Sequence, residues 1–323
     1  MDRGAAADSG KVWLYATASV GLGAWMGPLV YNAGKALAEV SAGRHLNDPL
    51  DWLARLCREA DFPQFFLASL VLAAGLLALP FIAWLGGGYR RDAAESGLRL
   101  RPNPRGPRQA ATGFLGVALL FLLSAGLWLL TPALEWRPAG ANLPFLVASA
   151  LVVAVGWAFL QEILFRGIAL GIFLRALRPA VALGLSATLF ALVHGLNPPP
   201  GMTVADPDAG GTGFEMLGKI VTRFSDPRVV LSHLAPLLAL GGVLAYARWR
   251  TASLWLPTGI HAGLLFANDL LGSVVATSPR GSGAWLGHGL LPLAGILFAG
   301  ILSHRLSSNP NPNPNSDATD PAP

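Results

Sequence analysis

Cys57 is the only cysteine, which excludes an intrachain disulfide and leaves the redox compartment open. Charge is scarce as well: 13% of the 323 residues are Asp, Glu, Lys or Arg, 53% are apolar, and mean hydropathy is +0.50. That balance excludes an ordinary soluble domain and points to the membrane. Lysine is nearly missing, since Lys11, Lys35 and Lys219 stand beside twenty arginines, a skew suggestive of a GC-rich bacterial genome. The net charge of +5 would suggest nucleic acid in a soluble protein, but the basic residues stand mostly between apolar stretches. Membrane topology accounts for them, and no nucleic-acid partner is expected. Neither half of the sequence repeats the other.

What the chain does have is apolar stretches of membrane length. About 20 helical residues cross a hydrocarbon core of about 30 Å. Eight stretches suit that length, near 13–33, 64–86, 111–132, 145–173, 180–197, 229–247, 252–271 and 284–303. Pro28, Pro80, Pro236, Pro257 and Pro292 fall inside them, which bundled membrane helices tolerate. The expected fold is all-α, a polytopic membrane helix bundle of about eight transmembrane helices in a lipid bilayer. With the N-terminus inside, thirteen Lys and Arg lie on the side of the termini, nine lie opposite, and Arg166 falls within a span. Both termini are therefore expected to be cytoplasmic, in a bacterial inner (plasma) membrane.

Composition divides the chain into four parts. Residues 1–86 hold two spans with an amphipathic loop, 87–110 a Gly-, Pro- and Arg-rich cytoplasmic linker, 111–303 a six-span bundle, and 304–323 an Asn-Pro tail expected to be disordered. In the first loop Asp48 is expected to cap a helix with Pro49 at its first position. That helix is amphipathic, and either lies on the membrane surface or packs as an extramembrane cap. The loop 197–227 opens on Asn197-Pro198-Pro199-Pro200 and is read either as a gate or as a connector.

Ionisable groups inside a membrane cost about 2.5 to 3.5 kcal/mol each on insertion scales, so their presence asks for a reason. The fourth stretch contains Gln161-Glu162-Ile163-Leu164-Phe165-Arg166-Gly167. Glu162 and Arg166 are four residues apart, share a helix face and neutralise each other, as a helix staple or as part of a site. The fifth stretch supplies Phe190 with His194 one turn later, and the seventh supplies His261 beside Ala262 and Gly263. Counted inward from Arg175, Arg178 and Arg250, Glu162, His194 and His261 lie at depths of about 20, 24 and 17 Å. A carboxylate and two imidazoles at similar depth are expected to converge on one cavity. A Glu and a His can activate water, while a second imidazole stabilises the oxyanion of a tetrahedral intermediate. The same set could hold a divalent metal such as zinc, and spacing leaves that open. His233 and His288 are further candidates, read more simply as ordinary helix-end residues, and Asp269 beside Asn268 as a solvated terminus.

These motifs resemble the CAAX-protease and bacteriocin-processing family of intramembrane endopeptidases, which includes the Rce1-like prenyl proteases. The family carries two adjacent glutamates with an Arg after three residues, a Phe ahead of a His, and a second His with Asn or Asp four later. Here they fall on Gln161 to Arg166, on Phe190 with His194, and on His261, with Thr251-Ala252-Ser253-Leu254-Trp255 and Gly259-Ile260-His261-Ala262 also similar. The resemblance implies that the first glutamate and first histidine activate water, that the second histidine and the Asx residue hold the oxyanion, and that no metal is required. It implies a peptide or membrane-protein substrate, with prenylated substrates confined to the eukaryotic branch. The chain departs at two places: Gln161 stands for the first glutamate, and Leu265 for the Asx residue, with Asn268 seven positions beyond His261. An amide accepts no proton from water at neutral pH. Glu162 is then the expected base, provided its pair with Arg166 loosens. The alternative is a catalytically inactive member acting as a membrane scaffold or immunity factor.

Overall fold

The computed structural model describes residues 3–44, 47–85, 103–128, 134–136, 142–277 and Gly300. Among them are nine helices: α1 (Arg3–Gly43), α2 (Asp48–Glu59), α3 (Phe62–Trp84), α4 (Gly106–Trp128), α5 (Leu143–Ala176), α6 (Pro179–Gly195), α7 (Thr212–Arg223), α8 (Pro227–Thr251) and α9 (Trp255–Val274). Two three-residue strands, β1 (Leu134–Trp136) and β2 (Val275–Thr277), pair antiparallel with Glu135 opposite Ala276. The protein is all-α apart from this short ladder.

Four helices are long and apolar enough to cross a membrane, Phe62–Trp84, Gly106–Gly126, Leu143–Ala176 and Pro227–Thr251, and Pro179–Gly195 is a shorter apolar helix. The chain is an integral membrane protein, but a count of eight spans is not reached among the described residues. The stretches at 13–33 and 252–271 are helical within α1 and α9 without meeting that apolarity, α9 because it carries His261, Asn268 and Asp269. The stretch at 284–303 lies outside the described residues except for Gly300, as do His288, most of the linker 87–110 and the tail 304–323.

Two local expectations are corrected. Asn47, not Asp48, caps α2: its backbone is extended (ψ 157°) and its side chain accepts from the Leu50 N–H at 3.0 Å. Asp48 is already in the first turn, where a carboxylate favours the helix dipole. The stretch 197–227, expected to be a loop, contains the 12-residue α7.

The chain forms two compact units, one from residues 1–99 and 169–238, the other from 100–168 and 239–323. In the first, α1 and α3 run antiparallel. Tyr15 Oη donates to the Ala74 carbonyl at 2.7 Å, Ser69 Oγ to the Gly23 carbonyl at 2.7 Å, and the Tyr15 and Phe81 rings stack at 4.4 Å. The helix α2 meets α1 through its polar side, by Ser41 to Asp51 at 2.9 Å and Arg58 to the Ala38 carbonyl at 3.2 Å, and leaves Leu50, Trp52, Leu53 and Leu56 exposed. The last turns of α5 also pack on α1, where Arg175 reaches Asp8 at 3.3 Å.

In the second unit α9 packs between α4 and the first part of α5. Gly259 and Gly263 face α4, so close that a Cβ on Gly259 would collide with the Ala110 carbonyl oxygen and one on Gly263 would lie 2.5 Å from that of Phe114. Small residues four apart let membrane helices approach at the backbone. The turn from α8 into α9 passes through Ala252 at φ 47°, the left-handed region that costs an L-residue about 1–2 kcal/mol.

Two outcomes follow for thermal unfolding in detergent. Gly259→Ala is expected to destabilise by about 1–3 kcal/mol, the usual cost of overpacking, because the obstacle is backbone. Ala252→Gly is expected to stabilise by up to about 1 kcal/mol, the relief of left-handed strain less the flexibility that glycine adds.

Candidate functional site

The glycine face of α9 determines where His261 goes. Residue 261 stands about 200° round the helix from both Gly259 and Gly263, so packing those glycines on α4 turns His261 away from α4. On α5 the regular helix ends at Glu162 and gives way to a π-helical segment, Ile163–Ala169, which contains Arg166. Such π segments are rare and concentrate at functional sites.

Glu162 and His261 meet. The His261 Nδ1 lies 2.8 Å from Glu162 Oε1, and Arg166 Nη1 donates to the same oxygen at 3.0 Å. Arg166 Nη2 also donates to the Gly241 carbonyl of α8 at 3.2 Å, so the guanidinium ties α5 to α8 while Glu162 Oε1 ties α5 to α9. Glu162 and Arg166 are fully buried, His261 is 2% exposed, and Gln161 is buried beside them in sequence. The second carboxylate oxygen, Glu162 Oε2, is buried and meets no hydrogen-bond donor among the described residues. Because a carboxylate only accepts, His261 gives its Nδ1 proton to Glu162. Glu162 and Arg166 cancel in charge, which is what allows both to sit in a bundle of apolar helices.

His194 belongs to the other unit. It lies one residue before the end of α6, half-buried, with Nδ1 at 2.8 Å from the Phe190 carbonyl and its ring tilted by 31° against that of Phe190 at 3.9 Å between centroids. A carbonyl also only accepts, so this ring too carries its proton on Nδ1. The spacing of four residues between Phe190 and His194, legible in the sequence, is what makes both contacts.

Leu265 and Asn268 follow His261 on α9; Leu265 is half-buried and Asn268 exposed, so the amide is not drawn into the buried cluster. His233 lies in a second π segment, Val230–Leu234. Among the described residues no three His, Cys, Asp or Glu side chains group as a metal site.

Residues 143–267, which run from the start of α5 to the middle of α9, match the family model described as type II CAAX prenyl endopeptidase Rce1-like. Over this segment the chain is similar to the CAAX-protease-like family. It contains the three stretches that resemble the motifs, on α5, α6 and α9, with the departures at Gln161 and Leu265, and the family is one of peptidases. No curated protein and no solved structure matches the chain. Three parts of the candidate site were missed in the sequence: the π segment, the Gly241 carbonyl and the glycine face of α9. Only the last had a signal, the spacing of Gly259 and Gly263.

Removing one partner of a buried ion pair costs about 3–5 kcal/mol, because the other charge is left uncompensated. Arg166→Leu is accordingly expected to lower stability by that order, read as thermal unfolding in detergent. The double variant Arg166→Leu with Glu162→Gln should recover part of the loss. A fully stable Arg166→Leu protein would show that the pair contributes nothing to the bundle.

Proposed function

We propose that the protein is an intramembrane endopeptidase that hydrolyses peptide bonds with an activated water, and that Glu162 works through His261. The observation that carries this reading is the single oxygen, Glu162 Oε1, which receives both Arg166 and His261 at hydrogen-bond distance. Two roles are open to Glu162: a base through Oε2, or a holder of His261 through Oε1. Oε1 already accepts from Arg166 and lies at hydrogen-bond distance from His261, and these contacts favour the second role. Held in this way, His261 is fixed in one orientation, and the family motif gives this second histidine the oxyanion of the tetrahedral intermediate.

In the reaction a water loses a proton to a base and its oxygen bonds to the scissile carbonyl carbon. The carbonyl electrons collect on the oxygen, and collapse of the intermediate expels the amine, which takes up the proton. The family motif assigns water activation to His194 together with the glutamate that Gln161 replaces. With an amide at 161, His194 takes the proton through Nε2, because its Nδ1 proton already goes to the Phe190 carbonyl. Gln161 is left to donate a hydrogen bond. The substrate class is a peptide or membrane protein, without a required prenyl group, and no metal takes part. A bacterial inner membrane with both termini cytoplasmic completes the proposal.

A specific observation favours a second reading, in which the chain is an inactive scaffold or immunity factor: Gln161 and Leu265 replace two groups that the family's chemistry uses. Cleavage of a membrane peptide in liposomes, with and without chelator, separates the two. On the peptidase reading, His194→Ala and His261→Ala each lower the rate by about 10² to 10⁴. Glu162→Gln lowers kcat with little change in KM, Glu162→Asp recovers part of it, and chelator has no effect. An inactive parent that gains cleavage on Gln161→Glu would establish the second reading, and a parent unaffected by His261→Ala would sink the mechanism.

A further inference from the structure

Helix α7 presents three kinds of surface. Thr212, Gly213, Met216 and Ile220 are buried, the last two in a cluster with Ala24 of α1 and Phe62 and Phe66 of α3. Gly213 touches α1 at the backbone, since a Cβ there would collide with the Ala24 carbonyl oxygen. Glu215 and Lys219 pair at 2.7 Å on another side, 37% and 43% exposed, and Lys219 also donates to the Thr203 carbonyl at 2.8 Å. The Lys219 ammonium holds the Glu215 carboxyl below the usual carboxylate range. Between these two sides lie Phe214 and Val221, seven residues apart and so on one face, 48% and 55% exposed.

Depth decides what covers that third face. The apolar run of α3 starts at Phe62, and α7 packs over Phe62 and Phe66, the first turns of a membrane-length helix. Phe66 lies about 6 Å inside the start of that run. On α1, α7 touches Ala24 and Gly27, while the neighbouring Trp25 and Leu29 are exposed in the same stretch. The 17 residues of α6 span about 25 Å, short of the hydrocarbon thickness of about 30 Å. Its last residue, Gly195, lies against Phe224, which directly follows α7. The base of α7 is therefore inside the apolar depth of its own unit, and its charged side stands outside.

We propose that α7 is an interfacial helix that lays Phe214 and Val221 into the boundary between the phospholipid headgroups and acyl chains, with Glu215 and Lys219 in water. The occupant is the bilayer itself, because α7 packs over the first turns of the membrane-length α3 and on the stretch of α1 where Trp25 and Leu29 are exposed. An amphipathic helix lying in the interface plane has this division of faces. The inference stands whether or not the chain cleaves peptides.

Nitroxide labels test it in the full chain. In a Cys57→Ser background, single cysteines at 214, 218, 221 and 222 would be labelled in vesicles of phosphatidylcholine and phosphatidylglycerol. Collisions with oxygen, which partitions into lipid, are compared with those of a water-soluble nickel chelate. The expected ratio of oxygen to nickel accessibility at 214 and 221 exceeds that at 218 and 222 several-fold. Equal nickel access at all four would place α7 in water, and low access to both reagents at 214 and 221 would mean that protein covers the face. Either result overturns the proposal. Should Phe214→Cys fail to fold, Val221→Cys against Thr222→Cys carries the same comparison on small substitutions.

Discussion

Glu162 Oε1 receives a guanidinium and an imidazole at once, at 3.0 and 2.8 Å, with almost no exposure of any of the three side chains. In water such a cluster would add little to stability, because solvent screens surface pairs. Inside a helix bundle each isolated charge would cost several kcal/mol, so the pair enters as a neutral unit or not at all. Glu162 therefore depends on Arg166 for its presence and His261 depends on Glu162 for its orientation. The rest of the unit is arranged around that dependence: α8 supplies the Gly241 carbonyl to a second arm of the guanidinium, and α9 is drawn against α4 through glycines, which leaves His261 turned the other way.

The π segment that begins at Ile163 belongs to the same arrangement. It opens one residue after Glu162 and contains Arg166, so the change in helical winding falls inside the Glu162–Arg166 pair. A stretch of π-helix shifts the register of every side chain beyond it. The pair itself survives this shift, and its i to i+4 spacing still closes at 3.0 Å.

The two amphipathic helices of the other unit show why burial cannot be read from amphipathicity alone. Both are 12 residues long and both carry apolar and charged sides. The helix α7 buries most of its apolar side against α1 and α3, whereas α2 uses Asp51 and Arg58 to reach α1 and turns Leu50, Trp52, Leu53 and Leu56 outward. A sequence pattern reports which residues share a face; it does not report what that face meets.

By itself the sequence determined the helical class, the membrane environment and the residues worth watching. Those follow from local rules: hydrocarbon thickness selects apolar runs of about 20 residues, and a helical turn places Glu162 over Arg166 and Phe190 over His194. Helix ends at α2 and the content of 197–227 were legible only in part, because Asn47 and Asp48 are both good caps and backbone geometry chose between them. Tertiary structure alone decided that one carboxylate oxygen serves both Arg166 and His261, 99 residues apart from Glu162 in the latter case, and that a Gly241 carbonyl completes the clamp. It also decided that Asn268 stays at the surface. The physical reason is the same throughout: spacing along one helix sets neighbours within that helix, while contact between helices depends on how closely their backbones pack, and here a pair of glycines on α9 sets that distance.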